Sequence, residues 1–300
     1  MITLFRHIRA AISLSLMLIN TIIWTTPLFI VAFLKFIVPV PMWRKGCSQL
    51  LIFFATSFIA VNSWVLRYIS GVKIELDLEG NLEKKRSYLV VCNHQSYADI
   101  IVLQKVLNYR IPFLKFFLKQ QLIWIPVFGL AWWALDFPFM KRFSKEYLKK
   151  HPEDAGKDFK ATQKACEKFK GSPVSIMNFV EGTRFTPEKK QRQNSPYRNL
   201  LKPKAGGVGY VLSLLGNQIH HLVNVTINYP TQQLSLWRVL GGWIPKIKVT
   251  VEVLDIPDEV KVDYRDNPEN RIKIQRWLNG MWQEKDKTLH NRFGNSEQDT

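Results

Sequence analysis

Two long stretches without a charged residue restrict the architecture of this chain more than any other feature. Ala10 to Leu34 is long enough, as a helix, to cross the hydrocarbon core of a bilayer, and Gly46 to Leu66 is of similar length. A connector with prolines and basic residues, Lys35 to Lys45, separates them. The first stretch is longer than the apolar region of a signal peptide and shows no small-residue cleavage site. We therefore predict a membrane-associated helical hairpin over residues 1–70, in preference to a buried helix pair of a soluble protein.

The charges around the hairpin do not choose its orientation, because basic residues lie at both of its ends and at its bend. A hairpin that crosses the bilayer twice and one that is embedded from a single face both stay open. Either arrangement places Met1 and the chain beyond Gly71 on the same side. The three cysteines, Cys47, Cys92 and Cys166, are far apart in sequence and odd in number, which favours a reducing compartment. We predict that the domain faces the cytoplasm.

From Val72 onward, short apolar runs alternate with helical patterns, which is typical of an α/β domain. The sequence predicts strands over 72–78, 88–92, 173–180, 222–227 and 246–254. A helical pattern covers Gly206 to Leu215, and an apolar stripe from Ile274 to Trp282 predicts an amphipathic C-terminal helix. Residues 71–300 are therefore expected to form one α/β domain.

The strand at Tyr88 to Cys92 leads through a turn into a helix, and two polar residues mark this junction. His94 lies in the turn, and Asp99 lies in the first turn of the helix. An imidazole that faces a carboxylate can serve as a general base with an orienting partner. Ser96 and Asp99 also resemble a capping box, so by itself the stretch favours a structural role. The rest of the chain reverses that judgement.

A second apolar strand ends in another polar cluster, Glu181-Gly182-Thr183-Arg184. Ligands of open α/β sheets bind beyond the carboxyl ends of the strands, so we expect this cluster to lie near His94. Gly182 allows close approach of a ligand to the backbone, and Arg184 offers a planar fork for phosphate or carboxylate.

The formal net charge of +18 points to an anionic partner: nucleic acid, acidic membrane lipid or phosphorylated substrate. No nucleic-acid-binding motif accompanies this charge, so we predict no nucleic-acid partner, although a basic membrane-anchored nucleic-acid-binding protein stays as an alternative. Cys92 and His94 have no second Cys/His pair at a zinc-site spacing, so no metal is expected.

Together the motifs resemble those of the lysophosphatidic acid acyltransferase (1-acylglycerol-3-phosphate acyltransferase) family of glycerolipid acyltransferases. Asn93-His94-x-Ser96-x-x-Asp99 is similar to the family motif N-H-x-S-x-x-D, and Glu181 to Arg184 is similar to E-G-T-R. The motifs keep the family's order over about residues 70–230.

Weaker blocks of the same family also have counterparts. Phe139-Met140-Lys141-Arg142 resembles the block F-I-x-R, and Lys119 begins a segment similar to K-x-x-L…P…G. Val223 to Ile227 lies where the fourth block, normally containing I-P-V, belongs. Asp136 and Asn224 depart from the common pattern, which leaves the lipid substrate less defined than the chemistry. The whole chain resembles the bacterial inner-membrane YihG-type branch, which implies the cell inner membrane as its location.

The resemblance implies a glycerolipid-acyltransferase-like mixed sheet flanked by helices. It also implies transfer of a fatty acyl group from acyl-CoA or acyl carrier protein to the free hydroxyl of a lysophospholipid. The expected acceptor is 1-acylglycerol-3-phosphate, which gives phosphatidic acid. No cofactor is expected beyond this acyl donor, and the expected partners are the phospholipid membrane, the two substrates and acyl carrier protein.

In this family-based interpretation His94 is the general base and Asp99 orients it. Arg184, helped by Lys119 and Arg142, would bind the lysophosphate. Glu181, Gly182 and Thr183 are counted as substrate-binding residues too, with Glu181 orienting the loop. Two alternatives concern the function: another lysophospholipid could be the acceptor, or the chain could be a catalytically weak membrane scaffold.

Overall fold

The computed structural model describes residues 1–140, 147, 150–151, 153, 163–164, 166–265 and 267–294. Its strands are β1 Lys73–Glu79, β2 Tyr88–Cys92, β3 Leu114–Phe116, β4 Leu118–Lys119, β5 Phe139–Met140, β6 Ser175–Asn178, β7 His221–Asn228 and β8 Lys246–Asp255. Its α-helices are α1 Ile2–Ile37, α2 Pro41–Trp64, α3 Ala98–Leu107, α4 Phe128–Ala134, α5 Pro187–Arg192, α6 Ala205–Leu215, α7 Leu236–Leu240 and α8 Pro268–Gly294.

Six of the strands form one mixed sheet in the order β1-β8-β7-β2-β6-β3, in which only the β7–β8 pair is antiparallel among the described strands. The remaining two, β4 and β5, form a separate parallel pair. The predicted mixed α/β sheet is therefore confirmed, and β2 has the predicted bounds. The short strands β3, β4 and β5 were not predicted, because two or three residues are too few to show an alternation of apolar and polar side chains.

The predicted hairpin is present as α1 and α2, and prolines set its bend. α1 ends before Pro39, and Pro41 begins α2, where its missing N–H is not needed. Asn20 Nδ2 donates to Asn62 Oδ1 over 2.9 Å and so joins the two helices. Both helices are long and apolar enough to cross a membrane. In each helix, 33% of an apolar 18-residue segment is buried.

The hairpin lies against the sheet instead of standing apart from it. Ala10, Met17 and Leu66 belong to the same buried cluster as residues of β2, α3 and β7. Farther along, Leu28 and Ala32 pack with α4. The buried side of the hairpin therefore supports the domain, and its other side is exposed and apolar.

The opposite face of the sheet is covered by α6 and α8. Ile274, Leu278 and Trp282 are fully buried in this second cluster, which confirms an amphipathic C-terminal helix that packs on the core. The same helix also carries Lys285, a charged residue that is buried.

Candidate active site

Three strand ends meet at one edge of the sheet and supply the polar residues there. β2 is parallel to both β6 and β7, so the residues after each strand emerge on the same side. His94 follows β2, Glu181 follows β6, and Tyr229 follows β7. The sequence analysis predicted that the polar clusters after β2 and β6 lie close together, and the parallel arrangement of these strands brings both to the same edge.

A buried carboxylate holds the imidazole of His94. Asp99 is fully buried, and its Oδ2 lies 2.9 Å from His94 Nδ1. The same oxygen accepts the backbone N–H of Gln95 and of Ser96, over 2.6 and 2.8 Å. Its other oxygen, Oδ1, accepts the hydroxyl of Tyr229 over 2.7 Å. Asp99 therefore both closes the turn at the start of α3 and orients the imidazole of His94. The helix-capping interpretation and the orienting interpretation of the motif are compatible.

The engagement of Nδ1 leaves Nε2 of His94 as the nitrogen that can take a proton. The side chain of His94 is 15% exposed, so its edge is accessible although its carboxylate partner is not. Phe179 stacks on the imidazole with ring centroids 3.9 Å apart, and Phe116 stacks on Phe179. The imidazole therefore borders an aromatic, apolar surface.

Asn93 fixes the position of the turn relative to β7. Its Nδ2 donates to the carbonyl of Ile227 and its Oδ1 accepts the N–H of Ile227, each over 2.9 Å. This pair continues the pattern of a strand ladder beyond the end of β2. Because His94 follows Asn93 directly, these two hydrogen bonds hold His94 at a fixed distance from the carboxyl end of β7.

Glu181 connects the loop after β6 to the turn that carries His94. Its Oε1 accepts the N–H of His94 over 3.1 Å, and its Oε2 accepts the N–H of Leu201 over 2.9 Å. Burial raises the pKa of Glu181 to about 8, against the effect of these two hydrogen bonds. The carboxyl group faces backbone donors, which fits the predicted role in shaping the loop.

Beneath this edge lies a buried ammonium group. Lys285 of α8 donates to the carbonyl of Val225, the residue paired with Cys92 in the sheet. Burial lowers the pKa of Lys285 to about 8, against the raising effect of Cys92, Glu252 and Glu181.

The rest of the E-G-T-R loop turns back over His94. Gly182 has φ +72°, a left-handed conformation that favours glycine. The N–H of Phe185 donates to the carbonyl of His94 over 2.7 Å. Lys189 Nζ donates to Thr183 Oγ1 over 2.9 Å and to the carbonyl of Arg184 over 3.0 Å, so this lysine holds the loop closed on itself.

Arg184 lines a cleft beside the turn that carries His94. Its guanidinium is 3.8 Å from the ring centroid of Tyr97. The cleft, of about 1130 Å³, is bordered by Arg184 and by Gln95, the residue after His94. Its other lining residues include Lys189, Lys190 and Arg198.

The two other predicted phosphate-binding residues are not joined to this cluster. Lys119 is exposed on β4, and among the described residues no hydrogen bond or ion pair connects it with His94 or Arg184. Its role in substrate binding stays a prediction. Arg142 lies outside the described residues.

Sequence reasoning missed several members of the site. Tyr229 follows a predicted strand that runs beside β2, so its place at the carboxyl end could have been inferred. Lys285 was recognisable as a lysine within the apolar stripe of a helix. Phe179 had no signal of its own, because an aromatic residue near a strand end is usually part of the core.

The chain is similar to known proteins of one family. A model of the Acyltransferase family matches residues 73–227. Lysocardiolipin acyltransferase 1 of Mus musculus is 24% identical over 269 residues, which cover 84% of this chain and 65% of the mouse protein. 1-acyl-sn-glycerol-3-phosphate acyltransferase 2 of Brassica napus is 25% identical over 245 residues, which cover 75% of this chain and 57% of the plant protein. The chain thus spans less than two thirds of the length of these two relatives.

Among solved structures, the crystal structure of the 1-acyl-sn-glycerophosphate (LPA) acyltransferase PlsC from Thermotoga maritima aligns with 94% of this chain and 98% of that chain. The TM-score is 0.49 and the sequence identity is 17%. The resemblance to the YihG-type branch stays a prediction.

Proposed function

Since this chain belongs to the Acyltransferase family, we propose that it transfers a fatty acyl group from a thioester donor to the free hydroxyl of a lysophospholipid. The observation that carries the proposal is the His94–Asp99 pair: Nδ1 of His94 lies 2.9 Å from the carboxylate, the ring stacks on Phe179, and the next residue, Gln95, lines the cationic cleft. The names of the mouse and plant relatives support the substrate class.

The chemistry needs one base and no covalent intermediate on the enzyme. Nε2 of His94 takes the proton of the acceptor hydroxyl as its oxygen attacks the thioester carbon. The carboxylate of Asp99 stabilises the imidazolium that forms. The C–S bond then breaks, and the imidazolium returns the proton to the leaving thiolate. The products are an ester and a free thiol.

We assign the phosphate of the acceptor to Arg184 and the preferred acceptor to 1-acylglycerol-3-phosphate. A guanidinium binds phosphate through two parallel hydrogen bonds, and Arg184 lines the cleft next to Gln95. Another lysophospholipid is the alternative acceptor, and the donor is either acyl-CoA or acyl-ACP.

The membrane is the expected source of the acceptor. The outward side of α1 exposes large apolar residues, among them Ile19, Ile22 and Ile23, and both hairpin helices are long enough to span a bilayer. We propose attachment to the cell inner membrane with the catalytic edge facing the cytoplasm, which fits the free cysteines Cys47, Cys92 and Cys166. Ile19→Asp with Ile23→Asp should weaken sedimentation with liposomes, and unchanged sedimentation would count against an anchoring role.

The decisive test uses the purified full-length chain, a panel of lysophospholipids and both donor types, with mass spectrometry of the products. We expect phosphatidic acid to form, and we expect the kcat/KM for 1-acylglycerol-3-phosphate to exceed that for the other lysophospholipids in the panel. Transfer to a different lysophospholipid would correct the acceptor. A folded protein that acylates none of them would reject the proposed function.

A further inference from the structure

A second charged pocket lies at the bend of the hairpin, apart from the cleft that Arg184 lines. Its volume is about 900 Å³, and we call it the bend pocket. Five cations and a single carboxylate line it among the described residues: Lys35, Arg44, Lys45, Lys115, Lys168 and Asp136. Cations that outnumber carboxylates in one pocket create a positive potential, which favours an anionic occupant.

The bend pocket does not belong to the candidate active site. It is lined by residues 171–174, which lead into β6, whereas Glu181 and Arg184 follow the other end of that strand. None of its described lining residues borders the cleft beside His94. An anion bound here would therefore lie at the opposite edge of the sheet from His94.

The carboxylate in the bend pocket already pairs with two of the cations. Asp136 Oδ2 lies 2.9 Å from Lys35 Nζ, and its Oδ1 lies 2.8 Å from Lys168 Nζ. Burial acts to raise the pKa of Asp136, but the hydrogen bonds with Lys168 and Lys35 hold that pKa below its ordinary value. Asp136 therefore stays ionised and joins the hairpin to the domain.

The other three cations form no ion pair with an Asp or Glu in the part of the chain that the structure describes. Lys115 is buried on β3, where its Nζ donates to the carbonyl of Leu135 over 2.7 Å and lies 4.7 Å from the ring centroid of Phe169. Arg44 and Lys45 are exposed near the start of α2. A phosphate has the charge and the acceptor oxygens to pair with all three.

Large apolar side chains adjoin these cations and narrow the class of anion. Phe36 and Trp133 also line the bend pocket, and they are 68% and 46% exposed. Tryptophan and basic residues are both typical of the level of the lipid headgroups. A phosphate that carries fatty chains can use the cations and the apolar rim together, whereas a soluble phosphate can use only the cations.

Contacts at both ends of α1 keep the bend at the surface of the domain. Towards its start, Ser13 Oγ donates to the carbonyl of Leu240 over 3.3 Å. At its end, Lys35 pairs with Asp136. Because the domain holds α1 at both places, the cations of the bend have fixed positions around the pocket, as a preorganised binding site needs.

We propose that the bend pocket binds the phosphate of an anionic membrane phospholipid, with Arg44, Lys45 and Lys115 as its ligands. This lipid is a different molecule from the acyl acceptor, and it is not consumed. It holds the bend of the hairpin to a membrane that contains acidic lipid. The inference rests on the proposed membrane attachment and does not depend on acyl transfer.

The test measures equilibrium binding of phosphatidylglycerol with a fluorescent tail to the full-length chain in detergent, next to phosphatidylcholine with the same label. Arg44→Gln/Lys45→Gln removes the two exposed ligands. Its matched control is Lys273→Gln/Arg276→Gln, which removes the same two residue types from the exposed side of α8, across the sheet from the hairpin. A thermal melt accompanies each variant.

The wild type should bind phosphatidylglycerol about tenfold more tightly than phosphatidylcholine, whose headgroup is neutral overall. Arg44→Gln/Lys45→Gln should lose this preference. The control and Arg184→Lys should keep the wild-type Kd within about twofold, since neither changes the bend pocket. Soluble glycerol 3-phosphate should not displace the lipid at equal concentration.

A second measurement does not depend on how a variant folds. Phosphatidylglycerol with a photoactivatable headgroup is crosslinked to the unaltered chain, and the labelled peptides are identified by mass spectrometry. The label should lie on residues 35–45. Labelling confined to other parts of the chain would overturn the site.

Four binding results would also overturn it: no preference for phosphatidylglycerol, an equal loss in Lys273→Gln/Arg276→Gln, a loss in Arg184→Lys in place of the bend variant, or displacement by glycerol 3-phosphate. The third would place the lipid in the acceptor cleft, and the fourth would identify a soluble ligand. A wild-type chain that binds phosphatidylglycerol as expected but acylates no lysophospholipid would reject the proposed function and leave this site standing.

Discussion

The turn after β2 and the loop after β6 meet at the same edge of the sheet, yet they are held in different ways. In the turn, Asp99 is fully buried and accepts hydrogen bonds from two backbone groups and the hydroxyl of Tyr229, and it pairs with His94. In the loop, Glu181 is the buried carboxyl group, and the side chain of Arg184 reaches the cleft.

On the proposed mechanism, this difference separates the residues that carry out the chemistry from those that bind the substrates. A general base must keep one geometry, and a network of hydrogen bonds to a buried carboxylate provides it. A binding loop must present cations to an incoming ligand, and they serve that purpose when they line an open cleft. The comparison predicts that changes in the turn lower kcat, whereas changes on the loop raise KM.

The largest effect is expected for His94→Ala. Turnover should fall by roughly 10²–10⁴-fold, the usual contribution of a positioned base. Tm should fall only modestly, because the imidazole loses its stacking on Phe179 but Asp99 keeps its other three hydrogen bonds. The matched control is His221→Ala: His221 Nδ1 also lies 2.9 Å from a carboxylate, but that carboxylate, Asp255, is 90% exposed. Both variants are assayed and melted in one detergent preparation. Near wild-type turnover in His94→Ala would remove the base from the mechanism.

Asp99→Asn should lower kcat by about 10²-fold, because the amide keeps the hydrogen bond but loses the charge that stabilises imidazolium. The fold should survive, since Asn also caps a helix and the hydroxyl of Tyr229 can turn to accept from the amide. Steady-state kinetics and a thermal melt check this. If Asp99 only closes the turn, kcat will stay within the error of the wild type.

Arg184→Lys should raise the KM for lysophosphatidic acid about tenfold and leave kcat nearly unchanged, since Lys keeps the charge but loses the two-pronged fork. Arg192→Lys serves as the control, because Arg192 lies at the end of α5 and does not line the cleft. Kinetics with each substrate varied in turn distinguish the outcomes. Equal damage to the KM of donor and acceptor would contradict the assignment of Arg184 to the acceptor.

The smallest effect on turnover, a few-fold, is expected for Glu181→Gln, which changes the link between turn and loop. An amide can accept only one of the N–H groups of His94 and Leu201, so a buried donor loses its partner. The free energy of unfolding should fall by about 1–3 kcal/mol at neutral pH, as measured by denaturant unfolding. An unchanged free energy would mean that both donors find other acceptors.

The same variant should alter the pH dependence of stability. Burial raises the pKa of Glu181 from 4.5 to about 8, so the folded chain keeps a proton that the unfolded chain releases within this interval. The stability contributed by this group is therefore complete below pH 4.5 and is lost as the pH rises through about 8.

Thermal melts of Glu181→Gln at increasing pH should lack this decline in stability. An identical decline in the wild type and the variant would contradict the prediction. The comparison is made below pH 8, because Lys285, whose pKa burial lowers to about 8, has the opposite slope above that value.

The strongest sequence patterns predicted the fold and the centre of the site. β2 was predictable because its apolar residues, Tyr88 to Cys92, end at a turn former, and every one of them is buried. His94 and Asp99 were predictable as a pair because their spacing crosses a strand–turn–helix junction. These features depend on neighbours in sequence, so the sequence displays them directly.

Features that depend on distant neighbours were not predictable in the same way. The contact of Glu181 with Leu201 and the anchoring of Arg198 by Asp286 join residues whose proximity only the folded sheet creates. For Lys119 the difference runs the other way. The motif predicted that Lys119 would bind phosphate together with Arg184, but on the short β4 it is exposed and has no described contact with the site.

The division between turn and loop can be measured most directly by equilibrium binding of lysophosphatidic acid to His94→Ala in the detergent used for turnover. The account predicts a Kd within about twofold of the wild type while turnover is lost, and a weaker Kd with retained turnover at saturation for Arg184→Lys. A His94→Ala protein that melts normally but loses acceptor binding in proportion to its turnover would contradict the central claim.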